Sequence, residues 1–187
     1  MLSIVLGTSA EQVHAALWEA VCQGLVERRA GAYRFVHDRV QEAAYSLIPE
    51  ALRAEAHLRI GRLLAAQTTL DKRDEAIFEI VNQLDRGAAL IISRDEREDL
   101  AELNLLAGQR AKASTAYAAA LTYLIAGAAL LPEDGWARRH ELAFSLEINR
   151  AECEFLTGEL AAAEERLGAL SARATGAVEQ GTVACLR

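Results

Sequence analysis

Four histidines and three cysteines are the residues of this 187-residue chain best suited to chemistry, and their spacing sets what they can do. An imidazole titrates near neutrality, donates to anions and ligates metals. His14, His57 and His140 each stand without a carboxylate or thiol at ligand spacing, so they read as surface or interhelix residues. His37 differs, because Asp38 follows it directly. Cys22, Cys153 and Cys185 are odd in number and far apart, which fits neither a zinc site nor a disulfide framework. They are expected to be buried thiols in a reducing cytoplasm. The run Asp95-Glu96-Arg97-Glu98-Asp99 puts acids at a helix start, where they complement the dipole, and reads as a solvated first turn. No G-x-x-x-x-G-K-[ST] phosphate cradle, G-x-S-x-G elbow, H-E-x-x-H or H-R-D-L run occurs. The expectation is a chain with no catalytic residues and no metal site.

The elements that carry these residues are helical. Proline occurs only at Pro49 and Pro132, alanine and leucine dominate, and β-branched and aromatic residues are sparse, so the fold class is mostly α. A net charge of −7 and a pI near 5.2 leave no general basic surface for phosphates, which argues against nucleic acid as a partner. Ala113 to Pro132 carries no charged residue, a length that invites a membrane reading. Its alanines, Ser114, Thr115, Tyr117, Thr122 and Tyr123 fit a helix packed on both sides better, so no membrane is expected. Met1 to Gly7 is too short and unflanked for a signal peptide and reads as the stump of an element that begins upstream.

Ser9-Ala10-Glu11-Gln12 has the capping-box form and opens a helix over about Ala10 to Gln23, closed by Gly24. Leu25 to Arg28 and Tyr33 to Val36, around Arg29-Ala30-Gly31-Ala32, predict a β-hairpin. Asp38-Arg39-Val40-Gln41 has the same capping form and predicts a second helix ending before Pro49. Helix, hairpin and helix together read as a partial winged-helix unit over residues 1–48. From Pro49 on, six helices fit: Glu50 to Gln67, Asp74 to Ile91, Glu96 to Ala111, Ser114 to Leu131, Trp136 to Leu156 and Glu159 to Ala174. The opening of a truncated seventh follows at Val178 to Arg187. Such helices need stacking neighbours, so residues 49–187 form an α-α superhelical array whose cut ends favour self-association.

The array has a tetratricopeptide-like pattern, in which small residues let paired helices approach. Gly108 is followed at that spacing by Ala120, Leu124 and Gly127, with Pro132 as the stop. Ala151, Gly158, Ala163 and Leu167 repeat the pattern. Ala120 and Ala163 lie 43 residues apart, against about 34 in the standard repeat, so the repeats are elongated or irregular.

The stretch Tyr33-Arg34-Phe35-Val36-His37-Asp38-Arg39-Val40-Gln41-Glu42-Ala43-Ala44-Tyr45-Ser46-Leu47-Ile48-Pro49 resembles large bacterial predicted ATPases. These fuse a serine/threonine-kinase-like domain, a STAND-type (AAA-related) ATPase, a helical-repeat region and often GAF and histidine kinase domains. The similarity continues through Leu58 to Leu64, Ile77 to Leu84 and Leu103 to Gly108. It implies a cytoplasmic regulatory and protein-interaction segment lying after the ATPase core. Its partner would be another protein or the parent's own ATPase and kinase domains, and ATP or ADP with Mg would bind only elsewhere in the parent. His37-Asp38 resembles the Met-His-Asp motif of that family with Val36 in place of Met, which implies a nucleotide-sensing role in the intact parent. Asp38 is equally a candidate N-cap. Two rivals stand beside this reading. A DNA-binding regulator would use the winged helix, although Glu11 and Glu19 on its first helix oppose that. An enzyme of unrecognised type would use the concave surface of the array.

Overall fold

The computed structural model describes residues 6–29, 32–132 and 134–187, so Met1 to Val5 and the centre of the predicted hairpin turn fall outside it. The chain is mostly helical with one small antiparallel hairpin, in the order α1 (Ala10–Cys22), β1 (Val26–Arg29), β2 (Ala32–Phe35), α2 (Asp38–Ser46), α3 (Glu50–Gln67), α4 (Leu70–Arg86), a 3₁₀ turn (Ala88–Leu90), α5 (Arg94–Ala113), α6 (Tyr117–Leu130), α7 (Gly135–Arg138), α8 (His140–Leu156), α9 (Leu160–Arg173) and α10 (Ala177–Leu186).

The first helix starts as its sequence dictates. Ser9 Oγ accepts from Gln12 N at 3.2 Å and Gln12 Oε1 accepts from Ser9 N at 2.9 Å, a closed capping box. Gly24 ends the helix region with φ +69°, a conformation only glycine adopts cheaply. The strands pair Val26 with Phe35 and Glu27 with Arg34. The second capping box does not form: His37 is the N-cap, with no side-chain cap bond, and Asp38 is already the first helical residue. The reason lies in the backbone, since Val40 N and Gln41 N both bond to His37 O at 3.0 and 3.3 Å.

The helices after Pro49 pack as consecutive hairpins, α3 on α4, α5 on α6 and α8 on α9, with α6 also against α8. Leu58, Ile80, Leu84, Leu100, Leu124 and Leu146 belong to one continuous core, and Phe144, Ala151, Leu167 and Leu170 to a second at the C-terminal end. The turns of two hairpins are the same motif 43 residues apart. Ser114, Thr115 and Ala116 N–H groups bond back to Arg110, Lys112 and Ala111 carbonyls, and Thr157, Gly158 and Glu159 to those of Cys153, Phe155 and Glu154. Each turn carries one left-handed residue, Thr115 at φ +59° and Gly158 at φ +88°.

Several expectations need correction. The predicted Asp74 to Ile91 helix starts at Leu70 and ends at Arg86, where Gly87 gives way to the 3₁₀ turn. The predicted helix from Trp136 to Leu156 is two helices, because Arg139 leaves helical geometry at φ −127°, ψ 52°. Cys153 is buried, but Cys22 and Cys185 are exposed. Glu98 is not a solvated first-turn acid: it is 2% exposed and held by three arginines. Helix α6 covers 14 residues, and among the described residues no helix is long and apolar enough to cross a membrane.

Candidate functional site

His37 and Asp38 sit where β2 passes into α2, and both are exposed. The unit that carries them has little core of its own. Before Glu50 only Val13 and Val26 among the described residues are buried hydrophobics, whereas Trp18, Phe35, Val36 and Leu47 are exposed. Val36 N bonds to Leu25 O at 3.1 Å, which extends the hairpin by one pair and fixes the residue before His37. Helix α1 is tied to the hairpin by His14 Nδ1 and Tyr33 Oη at 2.7 Å. The pair His37-Asp38 is therefore presented on a small, sparsely buried unit that leaves several apolar side chains exposed.

The other end of α2 is bound to the helical array. Arg53 of α3 donates to the Ser46 and Ile48 carbonyls at 2.9 and 2.6 Å, satisfying acceptors that a helix end leaves unpaired. Its guanidinium lies 4.7 Å from the Tyr45 ring centroid. Tyr45 Oη meets His57 Nε2 at 2.9 Å, and His57 Nδ1 meets Gln83 Oε1 at 2.7 Å. Gln83 Oε1 can only accept, so His57 Nδ1 donates to it, and in that tautomer Nε2 accepts a hydrogen bond from the Tyr45 hydroxyl. One imidazole thus links α2, α3 and α4. Sequence reading misses this joint: His57 looks isolated because its partners lie 12 and 26 residues away, beyond any helical periodicity.

The small residues of the array mark close helix approaches. A methyl group at Gly108 would lie 2.7 Å from Leu124 Cγ and Cδ2, so α5 and α6 touch where a side chain is absent. At Gly127 it would lie 2.8 Å from Leu146 Cδ2 and 3.0 Å from Asn104 Cβ, the point where α6 meets α5 and α8 together. Ala120, Leu124 and Ala151 are fully buried, and Ala163 and Leu167 are 2% and 4% exposed. Gly158 lies in the turn, where a methyl group would meet nothing within 4 Å, so its role there is conformational. Gly61 performs in α3 the task of Gly108, since a methyl group there would meet Leu84 of α4 at 2.6 Å, and the repeat pattern does not single it out.

Charge is concentrated at two helix junctions. Glu98 accepts from Arg94 and Arg139 at 3.3 and 3.1 Å and pairs with Arg138 at 3.3 Å, locking α5 to α7 and the start of α8. Arg166 of α9 makes a two-pronged bond to Glu154 of α8 at 2.9 Å for each prong, and also pairs with Glu147. Among the described residues no group of three or more metal-ligating side chains comes together.

No protein-family model matches the chain, and no solved structure matches it. Among curated proteins it is similar to the hybrid signal transduction histidine kinase G of Dictyostelium discoideum, 31% identical over 150 residues, which takes in 67% of this chain. The likeness relates the chain to a signal-transduction kinase. The chain spans 4% of that relative's length.

Proposed function

We propose that the chain is a non-catalytic regulatory and protein-interaction segment of a multidomain signalling ATPase or histidine kinase. In this reading residues 1–48 act as a winged-helix unit and residues 49–187 as a tetratricopeptide-like array in the cytoplasm. The observation that carries it is the sparse core of the unit that presents His37 and Asp38, which leaves Trp18, Phe35, Val36 and Leu47 exposed. Apolar surface of that kind marks a contact with another folded domain. Its neighbour in this reading is the parent's ATPase domain, with His37 directed at a bound nucleotide phosphate. The joint at Tyr45, His57 and Gln83 then carries the position of α2 into the array. The similarity to a small part of a very long signal-transduction kinase supports a segment that works inside a larger protein.

The test is the substitution His37→Ala in the full-length parent. Losing one charge-assisted hydrogen bond, about 1.5 to 3 kcal/mol, weakens ADP retention roughly tenfold to a hundredfold. The isolated chain titrated with ADP in a calorimeter is expected to give no saturable heat. Saturable micromolar binding to this chain alone would overturn the assignment of nucleotide binding to the rest of the parent.

A further inference from the structure

Trp136 separates two adjoining cavities. One, of about 360 Å³, lies between α7, α8 and α9, and the other, of about 340 Å³, between the end of α6, α7, α8 and the last residue of α9. Trp136, Glu147 and Arg173 line both, so the two form one groove across the C-terminal end of the array, each half large enough for a side chain group of a bound ligand.

The polar groups of the groove are not equivalent. Arg166 is committed to Glu154 and Glu147, and Arg150 also pairs with Glu154, so two guanidiniums offset the two carboxylates. Arg173 has no hydrogen bond or ion pair among the described residues, and its guanidinium lies 4.6 Å from the Trp136 ring centroid. Stacking on an aromatic face orients the fork of donors while leaving them unused, so a carboxylate that arrives pays little for ordering the side chain. On the side away from Glu147 and Arg173 the second cavity is walled by Ala128, Leu131, Pro132, Ala143 and Leu146, which suits an aliphatic side chain. Glu165 at the rim of the first opposes a doubly charged phosphate more than a single carboxylate.

We infer that this groove docks a peptide segment of a protein partner, with a carboxylate on Arg173 and a neighbouring aliphatic side chain in the slot beside Leu131 and Pro132. The inference gives chemistry to the partner in the proposed function, and rests on that reading only for the partner's being a protein.

Random-sequence peptides displayed on phage, selected on the immobilised chain, test it. Selected peptides are expected to carry Asp or Glu beside Leu, Ile or Met. A synthetic copy of one should shift the fluorescence of Trp136 in a Trp18→Phe background, which leaves one tryptophan as reporter. Arg173→Gln should weaken its binding at least about tenfold, the worth of a charge-assisted hydrogen bond. Ala169→Glu, a change at an exposed position lining the groove, should do the same without removing the arginine. Circular dichroism melts of both variants that match the parent chain exclude misfolding as the cause. Failure to select any peptide, or winners that lack acids and bind Arg173→Gln equally well, would overturn the inference. Winners that bind with no response from Trp136 would also overturn it, while leaving the wider interaction reading intact.

Discussion

Asn104 donates from Nδ2 to Asp85 Oδ1 at 2.8 Å, yet its own Oδ1 is buried with no partner among the described residues. Burial raises the Asp85 carboxyl above its usual range, and the Asn104 bond only partly opposes that. The ionised form is therefore the one the fold disfavours. The stability this group supplies is present at acid pH and is lost as pH rises through the raised folded value. Asp85→Asn should remove that slope. Two facing amides can also bond reciprocally and satisfy Asn104 Oδ1, so the variant should be equal to the parent or about 1 kcal/mol more stable at pH 7. Urea unfolding followed from below pH 3.8 up to pH 7 checks both statements, and a clear loss in the variant at pH 7 would contradict them.

Gly108 and Leu124 leave no room for a methyl group. Gly108→Ala should cost about 0–2 kcal/mol, because overpacking of about 1–3 kcal/mol is set against a helix-propensity gain of about 1 kcal/mol. Leu124→Ala alone should cost about 2–5 kcal/mol. In the double variant the two losses should fall short of additivity by about 1 kcal/mol or more, since each change makes space for the other. Additive losses from thermal or urea unfolding would show that the two residues do not meet.

Ser9 and Asp38 separate a real cap from an apparent one. Ser9→Ala should cost about 1 kcal/mol through the capping box. Asp38→Ala should cost only about 0.3–1 kcal/mol, the worth of a charge near a helix N-terminus, because its side chain caps nothing. Amide exchange of α1 and α2 in the two variants distinguishes them. Faster exchange across α2 than α1 would reverse the assignment.

Glu98→Ala leaves Arg94, Arg138 and Arg139 facing a buried space. The arginines keep other partners in Asp134, Asp95 and Glu102, so the expected loss is about 2–3 kcal/mol, the low side of what removing one member of a buried pair costs. Glu98→Gln should recover part of it. A neutral Glu98→Ala in urea unfolding would place the strength of the α5–α7 junction in its apolar contacts alone.

The readable parts of the chain are those governed by local rules. Pro49 and the polar Thr68-Thr69 bound α3 at Glu50 and Gln67 as the pattern predicts, and the Ser9 box and Gly24 do the same for α1. The 43-residue spacing read from two alanines recurs in the turn hydrogen bonds. Asp38 is ambiguous in sequence, because an acid suits both the cap and the first turn, and only the backbone angles at His37 decide. The Arg139 break, the burial of Glu98 and the His57 joint depend on long polar side chains meeting across helices, for which a single sequence holds no period. At the candidate site the positions of His37 and Asp38 are legible, while what anchors their helix is not.

The repeated turn gives the array a mechanical character. Two hairpins with the same lock at a 43-residue interval are two like springs in series, joined where Gly127 admits Leu146. Under tension from its ends, such a chain yields by peeling one hairpin at a time, and each release frees roughly 150 Å of extended backbone. Held in an optical trap, it should lengthen in steps of about that size.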